Sequence, residues 1–128
     1  MPKSTKAFQI RDAKLSDARS ITAIDAEHTG VKKPAHWKSL LRQCTQTGVA
    51  VVAEIDGKVV GYLLGQVRAW EFGSPPTGWI HAVGVRRAMQ SQGMGRGLVT
   101  AALARFRAKR VQALRTMVQR EHVELLRF

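Results

Sequence analysis

Val83-Gly84-Val85-Arg86-Arg87-Ala88-Met89-Gln90-Ser91-Gln92-Gly93-Met94-Gly95-Arg96-Gly97-Leu98 decides the fold, because an apolar strand runs into a glycine-rich turn that opens a helix. The first N–H groups of a helix have no partner within it and carry the positive end of the helix dipole, and glycine lets an anion approach the backbone closely. The turn therefore predicts a site for a phosphorylated ligand. A nucleotide-triphosphate loop is excluded, since no glycine here is followed by Lys and a hydroxyl residue. A dinucleotide fingerprint should follow its strand directly, early in the chain, with an acid about 20 residues on. Here the glycines come late, after a hairpin, and the downstream segment is basic until Glu121.

The pattern extends outward in both directions. Phe8-Gln9-Ile10-Arg11 alternates as a first strand, and Ser16 is read as the N-cap of a helix burying Ala18, Ile21 and Ile24 and ending near Gly30. Pro34 suits the first turn of a second helix that buries Trp37, Leu40, Leu41 and Cys44 and closes at Gly48. Residues 49–55 read as a strand, Asp56-Gly57 as a tight hairpin turn and residues 58–70 as the returning strand. Two successive prolines place residues 71–77 in a loop, and residues 79–85 form the next strand. Leu98, Ala102 and Phe106 then line one face of an amphipathic helix. Residues 113–118 read as a strand parallel to the previous one by the right-handed crossover rule, and residues 121–128 as a last helix.

Gln90-x-x-Gly93-x-Gly95 after the Val83-x-Val85 strand end, within the order β-α-α-β-β-β-α-β-α, resembles the acyl-CoA signature of the Gcn5-related N-acetyltransferase (GNAT) family. The resemblance implies a three-layer α+β domain, an α/β arrangement of a mixed, mostly antiparallel sheet flanked by helices, and acetyl-CoA as cofactor. It places the pantetheine arm between the strand ending at Val85 and the one starting near Ala113, with amides paired to Val83, Gly84 and Val85. It puts the pyrophosphate over Ser91, Gln92, Gly93, Met94, Gly95 and Arg96, beside Gln90, and assigns an oxyanion donor to a backbone N–H around Val83. It implies transfer of an acetyl group to a primary amine of a small molecule or protein. Trp79 stands where some relatives carry a catalytic Glu. His81, two residues on, is the candidate base, with a hydrogen-bonded core histidine as the alternative; Glu71 is the other, against a solvated loop acid. The acceptor side implied by the resemblance includes Asp25, Glu27, His28 and Trp37, and ordinary helix-surface acids are the alternative for Asp25 and Glu27. Phe128 stands at the best match to the family's Tyr general acid and has no hydroxyl. Family members continue into two further strands, so the fold is expected to lack its last strands, leaving Val123, Leu125, Leu126 and Phe128 partly uncovered and the chain either a fragment or a self-associating homo-oligomer.

Composition bounds the rest. At 128 residues the chain is one domain, 1–128. No apolar stretch reaches the ~20 residues of a membrane span, and the N-terminus lacks a signal-peptide core; a soluble, cytoplasmic protein without a membrane partner is expected. Cys44 is the sole cysteine and reads as a packing residue, and the four histidines show no metal-ligand spacing, so no metal is expected. The formal net charge of +12 makes a catalytically weak or inactive basic domain of the same fold, binding nucleic acid or a protein partner, the competing reading. Sparse aromatics, not interleaved with the cations, disfavour nucleic acid.

Overall fold

A computed structural model describes residues 7–68, 76–90, 92–111 and 113–116. Glu71, Ser91 and Phe128, like Val123, Leu125 and Leu126, lie outside the described residues. The elements are β1 (Gln9–Asp12), α1 (Ala18–Thr29), α2 (Pro34–Thr47), β2 (Gly48–Ile55), β3 (Lys58–Arg68), β4 (Thr77–Val85), α3 (Met94–Ala108) and β5 (Ala113–Thr116). One five-stranded sheet takes them in sequence order, antiparallel from β1 to β4 and parallel between β4 and β5.

β2 and β3 are buried on both faces and read as almost continuous apolar runs, as central strands of a doubly covered sheet must. Asp56 and Gly57 join them at φ 51° and 79°, the left-handed pair of a turn whose twist matches that of the strands. α3 covers one face: Met94, Leu98, Ala102 and Phe106 pack on Val49, Val51, Ala53 and Leu63. α1 and α2 cover the other, where Ile21, Ile24, Trp37, Leu41 and Cys44 meet Ala50, Val52, Tyr62 and Leu64. Burial pushes the Cys44 thiol up to about 11, which keeps it a neutral packing group.

The start of α1 differs from the expectation. Ser16 does not cap it; a 3-10 turn, Leu15–Asp17, precedes the helix. Asp17 organises the entry because an ionised carboxylate is the stronger acceptor: it takes the Lys14 N–H at 2.7 Å and both terminal nitrogens of Arg11 at 2.8 and 3.0 Å. Arg11 reaches on to Glu54 at 3.0 Å, tying β1, β2 and α1 together. Gly30 closes α1 and Pro34 opens α2, as the sequence predicts. Among the described residues no helix is long and apolar enough to cross a membrane, and no group of His, Cys, Asp and Glu could hold a metal ion.

Candidate active site

β4 positions the site, and its register carries an irregularity that alternation alone cannot reveal. Leu64 stands opposite Ala82, but Gly65 stands opposite Ile80, so His81 is an extra residue on β4. Such a bulge turns two successive side chains toward one side and re-aims the strand. Ile80, Val83 and Val85 consequently pack toward α3 while Ala82 packs toward α1 and α2. Gly65 makes room for the irregularity: a Cβ there would lie 2.5 Å from the Trp79 carbonyl oxygen and 2.9 Å from the Phe106 ring.

Beyond the bulge the Arg86 N–H donates to the Val60 carbonyl at 2.9 Å, which sets the alternation of the antiparallel ladder. Residues 84 and 86 turn their polar groups to β3, and Val83 and Val85 turn theirs to the opposite edge. The described pairing of that edge with β5 runs from Thr77 to Ile80 and stops before Val83. The Val85 carbonyl accepts from His28 Nε2 at 2.9 Å and from Gln90 Nε2 at 3.4 Å. Both donors come from side chains, so the carbonyl faces a place where another amide could pair.

The turn after β4 is held from α1. Glu27 Oε1 accepts the Arg87 N–H at 2.6 Å and Oε2 lies 3.3 Å from Arg86, which together draw its carboxyl below the usual range. Gly93 then takes φ 79° as the N-cap of α3 and, having no side chain, makes no side-chain cap of its own. The first intrahelical bond runs from Gly97 N–H to the Gly93 carbonyl at 3.0 Å, so the N–H groups of the first turn precede it and point out of the helix end. A Cβ at Gly93 or Gly95 would meet no heavy atom within 4 Å. Met94 between them is buried in the core and can offer a ligand only its backbone. The start of α3 is thus an open, electropositive, glycine-lined cradle beside Gln90 and the edge of β4 that faces away from β3. A pyrophosphate on a pantetheine arm fits the cradle and the edge together.

The remaining acceptor-side residues are engaged by the protein itself. Asp25 Oδ2 accepts the Trp37 indole N–H at 3.0 Å and lies 3.4 Å from Lys33 Nζ. Trp37 is 5% exposed and sets its ring edge-on against Tyr62 at 5.3 Å, so it is a core residue whose indole orients Asp25. Both acids that sequence reasoning assigned to a cationic acceptor, Asp25 and Glu27, therefore already have partners. Tyr62, which sequence reasoning did not single out, lies under β4: a Cβ at Gly84 would come within 2.6–2.7 Å of its ring and hydroxyl. Burial, with the Asp25 charge, raises its phenol and keeps it protonated.

His81 is exposed, and its Nε2 lies 2.8 Å from Gln66 Oε1. Gln66 Nε2 donates to Thr47 Oγ1 at 3.1 Å, and Thr47 Oγ1 donates to the Gln43 carbonyl at 2.9 Å. Partial burial, then the Arg68 charge, lowers the His81 pKa from its ordinary value, so the ring is neutral at neutral pH. Sequence reasoning found His81 but not Gln66 or Thr47; the one signal pointing there was Gly65 inside an apolar strand.

These features define an acyl-CoA N-acyltransferase fold. The model of the acetyltransferase (GNAT) family matches residues 16–128, and the chain belongs to that family. It is 30% identical over 109 residues to an L-2,4-diaminobutyric acid acetyltransferase of Nocardia farcinica, a match covering 85% of this chain and 55% of that protein. The chain thus spans about half the length of this curated relative. Its fold is similar to a ribosomal-protein-alanine N-acetyltransferase from Brucella melitensis biovar Abortus 2308, with TM-score 0.76, 17% identity and 94% and 86% of the two chains covered. It is also similar to an aminoglycoside N-acetyltransferase in complex with CoA, with TM-score 0.78, 12% identity and 97% and 85% covered.

Proposed function

We propose that this chain is an acetyl-CoA-dependent N-acetyltransferase acting on a primary amine of a small molecule or protein. The observation that carries the reading is the union, at one end of β4, of the Val83 and Val85 backbone polar groups, turned away from β3, with the glycine-opened first turn of α3. Val83 and Val85 would hold the pantetheine amides, Gln90, Gly93, Gly95 and Arg96 the pyrophosphate, and the Val83 N–H the thioester oxygen. The cofactor, when bound, supplies an acetyl group activated as a thioester. His81 accepts the proton that a primary amine must lose, directly or through water, and its depressed pKa keeps it ready for that at neutral pH. Glu71 is the second candidate for the role.

The acceptor reading follows from charge. With Asp25 and Glu27 already engaged and a net charge of +12, the acceptor is an amine that also carries a carboxylate, which the basic surface attracts. The substrate named for the Nocardia farcinica relative, L-2,4-diaminobutyric acid, has both groups and is the first acceptor to test. Thiol release from acetyl-CoA is measured with this diamino acid, other amino acids, aminoglycosides and an alanine-initiated peptide. Release above hydrolysis with at least one amine, lost in Gly95→Val, is expected. No transfer to any of them, with no CoA binding, would refute the reading.

A further inference from the structure

We propose that Gln66 is a positioning residue that fixes His81 in the Nε2–H tautomer and leaves Nδ1 as the proton-accepting nitrogen. The inference rests on the reading of His81 as the base. It follows from the direction of a hydrogen-bond chain that can run only one way. The Gln43 carbonyl has no proton to give, so Thr47 Oγ1 must donate to it at 2.9 Å. The hydroxyl has then spent its one proton and must accept from Gln66, which turns the Gln66 amide nitrogen toward Thr47 at 3.1 Å. The amide oxygen is left facing His81 at 2.8 Å, and an oxygen acceptor demands a proton on Nε2. Among the described residues no hydrogen bond engages Nδ1.

The fold holds this chain at both ends. Gln66 is 9% exposed on β3, directly opposite Trp79, and Thr47 is the last residue of α2. Alternation from Trp79, which stands opposite Gln66, puts the His81 ring on the Gln66 side of the sheet, and the bulge turns Ala82 to that side as well. Arg68 is the charged group on β3 whose field reaches the ring, and the α2 group in the chain is the neutral Thr47. A backbone carbonyl at the end of a helix thus dictates which nitrogen of an exposed histidine can take a proton.

Nitrogen-15 NMR of the His81 ring, in the full chain at a pH where the ring is neutral, reads the tautomer without a substrate. Protonated Nε2 and bare Nδ1 are expected. Gln66→Lys offers only donors and reverses the pattern; Gln66→Met serves if the lysine variant does not fold, and gives an averaged pattern. Gln66→Glu remains an acceptor and preserves it. With acetyl-CoA and L-2,4-diaminobutyrate, turnover in the lysine or methionine variant falls about tenfold, part of the 10²-fold or more a positioned base contributes. The acetyl-CoA KM stays within about twofold, the mark of a residue acting on the step and not on binding. Gln66→Glu restores turnover at high pH and moves the acid limb up, because a neighbouring carboxylate favours the charged ring. A wild-type ring protonated at Nδ1, or averaged between the two forms, overturns the positioning role and leaves the base reading standing. The expected tautomer and its loss in the variants, with turnover unchanged, overturns the base reading.

Discussion

Gly95→Ala separates two effects that have opposite signs if the cradle exists to admit a phosphate. In the free protein an added Cβ meets no heavy atom within 4 Å, so the substitution creates no clash. Gly95 is the second residue of α3, where alanine is the better helix former. A full interior position would contribute close to 1 kcal/mol, and a first-turn position about 0.5 kcal/mol, or roughly 2 °C in Tm for a domain of this size. The same methyl occupies the space above the first-turn N–H groups that a phosphate oxygen needs. Weakening one charge-assisted hydrogen bond costs about 1.5 kcal/mol, about tenfold in Kd. The assays are thermal melting without ligand and calorimetric titration with CoA at fixed salt. Gly97→Ala is the control, since its Cβ would point at Phe8 and Ile10, 3.0 and 3.1 Å away, and CoA affinity should be unchanged. A Gly95→Ala protein that melts higher and binds CoA as tightly as wild type would refute the cradle.

Two further outcomes follow from charge. Arg68→Ala removes a cation that, after burial, lowers the His81 pKa, so the acid limb of kcat/KM should move to higher pH; an unmoved limb would disconnect His81 from the rate. Asp17→Ala removes the two-pronged partner of Arg11, leaving it Glu54, and strands the Lys14 N–H, and should cost about 2–3 kcal/mol in urea unfolding at neutral pH. Although burial opposes it, the bonds from Arg11 and Lys14 hold the Asp17 carboxyl below its usual value. Its contribution is therefore present above the unfolded pKa of about 3.9 and lost as pH falls through the folded value, so variant and wild type should converge in acid. A constant difference down to the lowest pH would contradict the assignment.

The parts of the fold that were legible are those written in local chemistry. The positive-φ pair Asp56-Gly57, Pro34 at a helix start, the Leu98, Ala102, Phe106 stripe and the parallel crossover into β5 each depend on residues close in sequence, and each is found as read. The bulge at His81 was not legible, because a period-two pattern continues across an extra residue without marking it. Simple alternation from His81 puts Val83 and Val85 on its face, whereas they pack against α3. Asp17 displaced Ser16 at the entry to α1 for a similar reason: its advantage comes from Arg11 on another element. The same holds for Asp25 and Glu27, whose partners Trp37, Arg86 and Arg87 lie 12 to 60 residues away. Gln66 carries no motif, and only the register of β3 on β4 brings it to His81.

The central claim is that the end of β4 and the start of α3 form one CoA site. An amide NMR titration with CoA tests it most directly, repeated at low and moderate salt. The account predicts saturable shifts at Val83, Val85, Gly93, Gly95 and Arg96 that persist as salt rises, because a shaped site does not depend on counterion release. Shifts scattered over exposed cations such as Lys32, Lys33, Arg107 and Lys109, collapsing with salt and sparing the cradle, would contradict it.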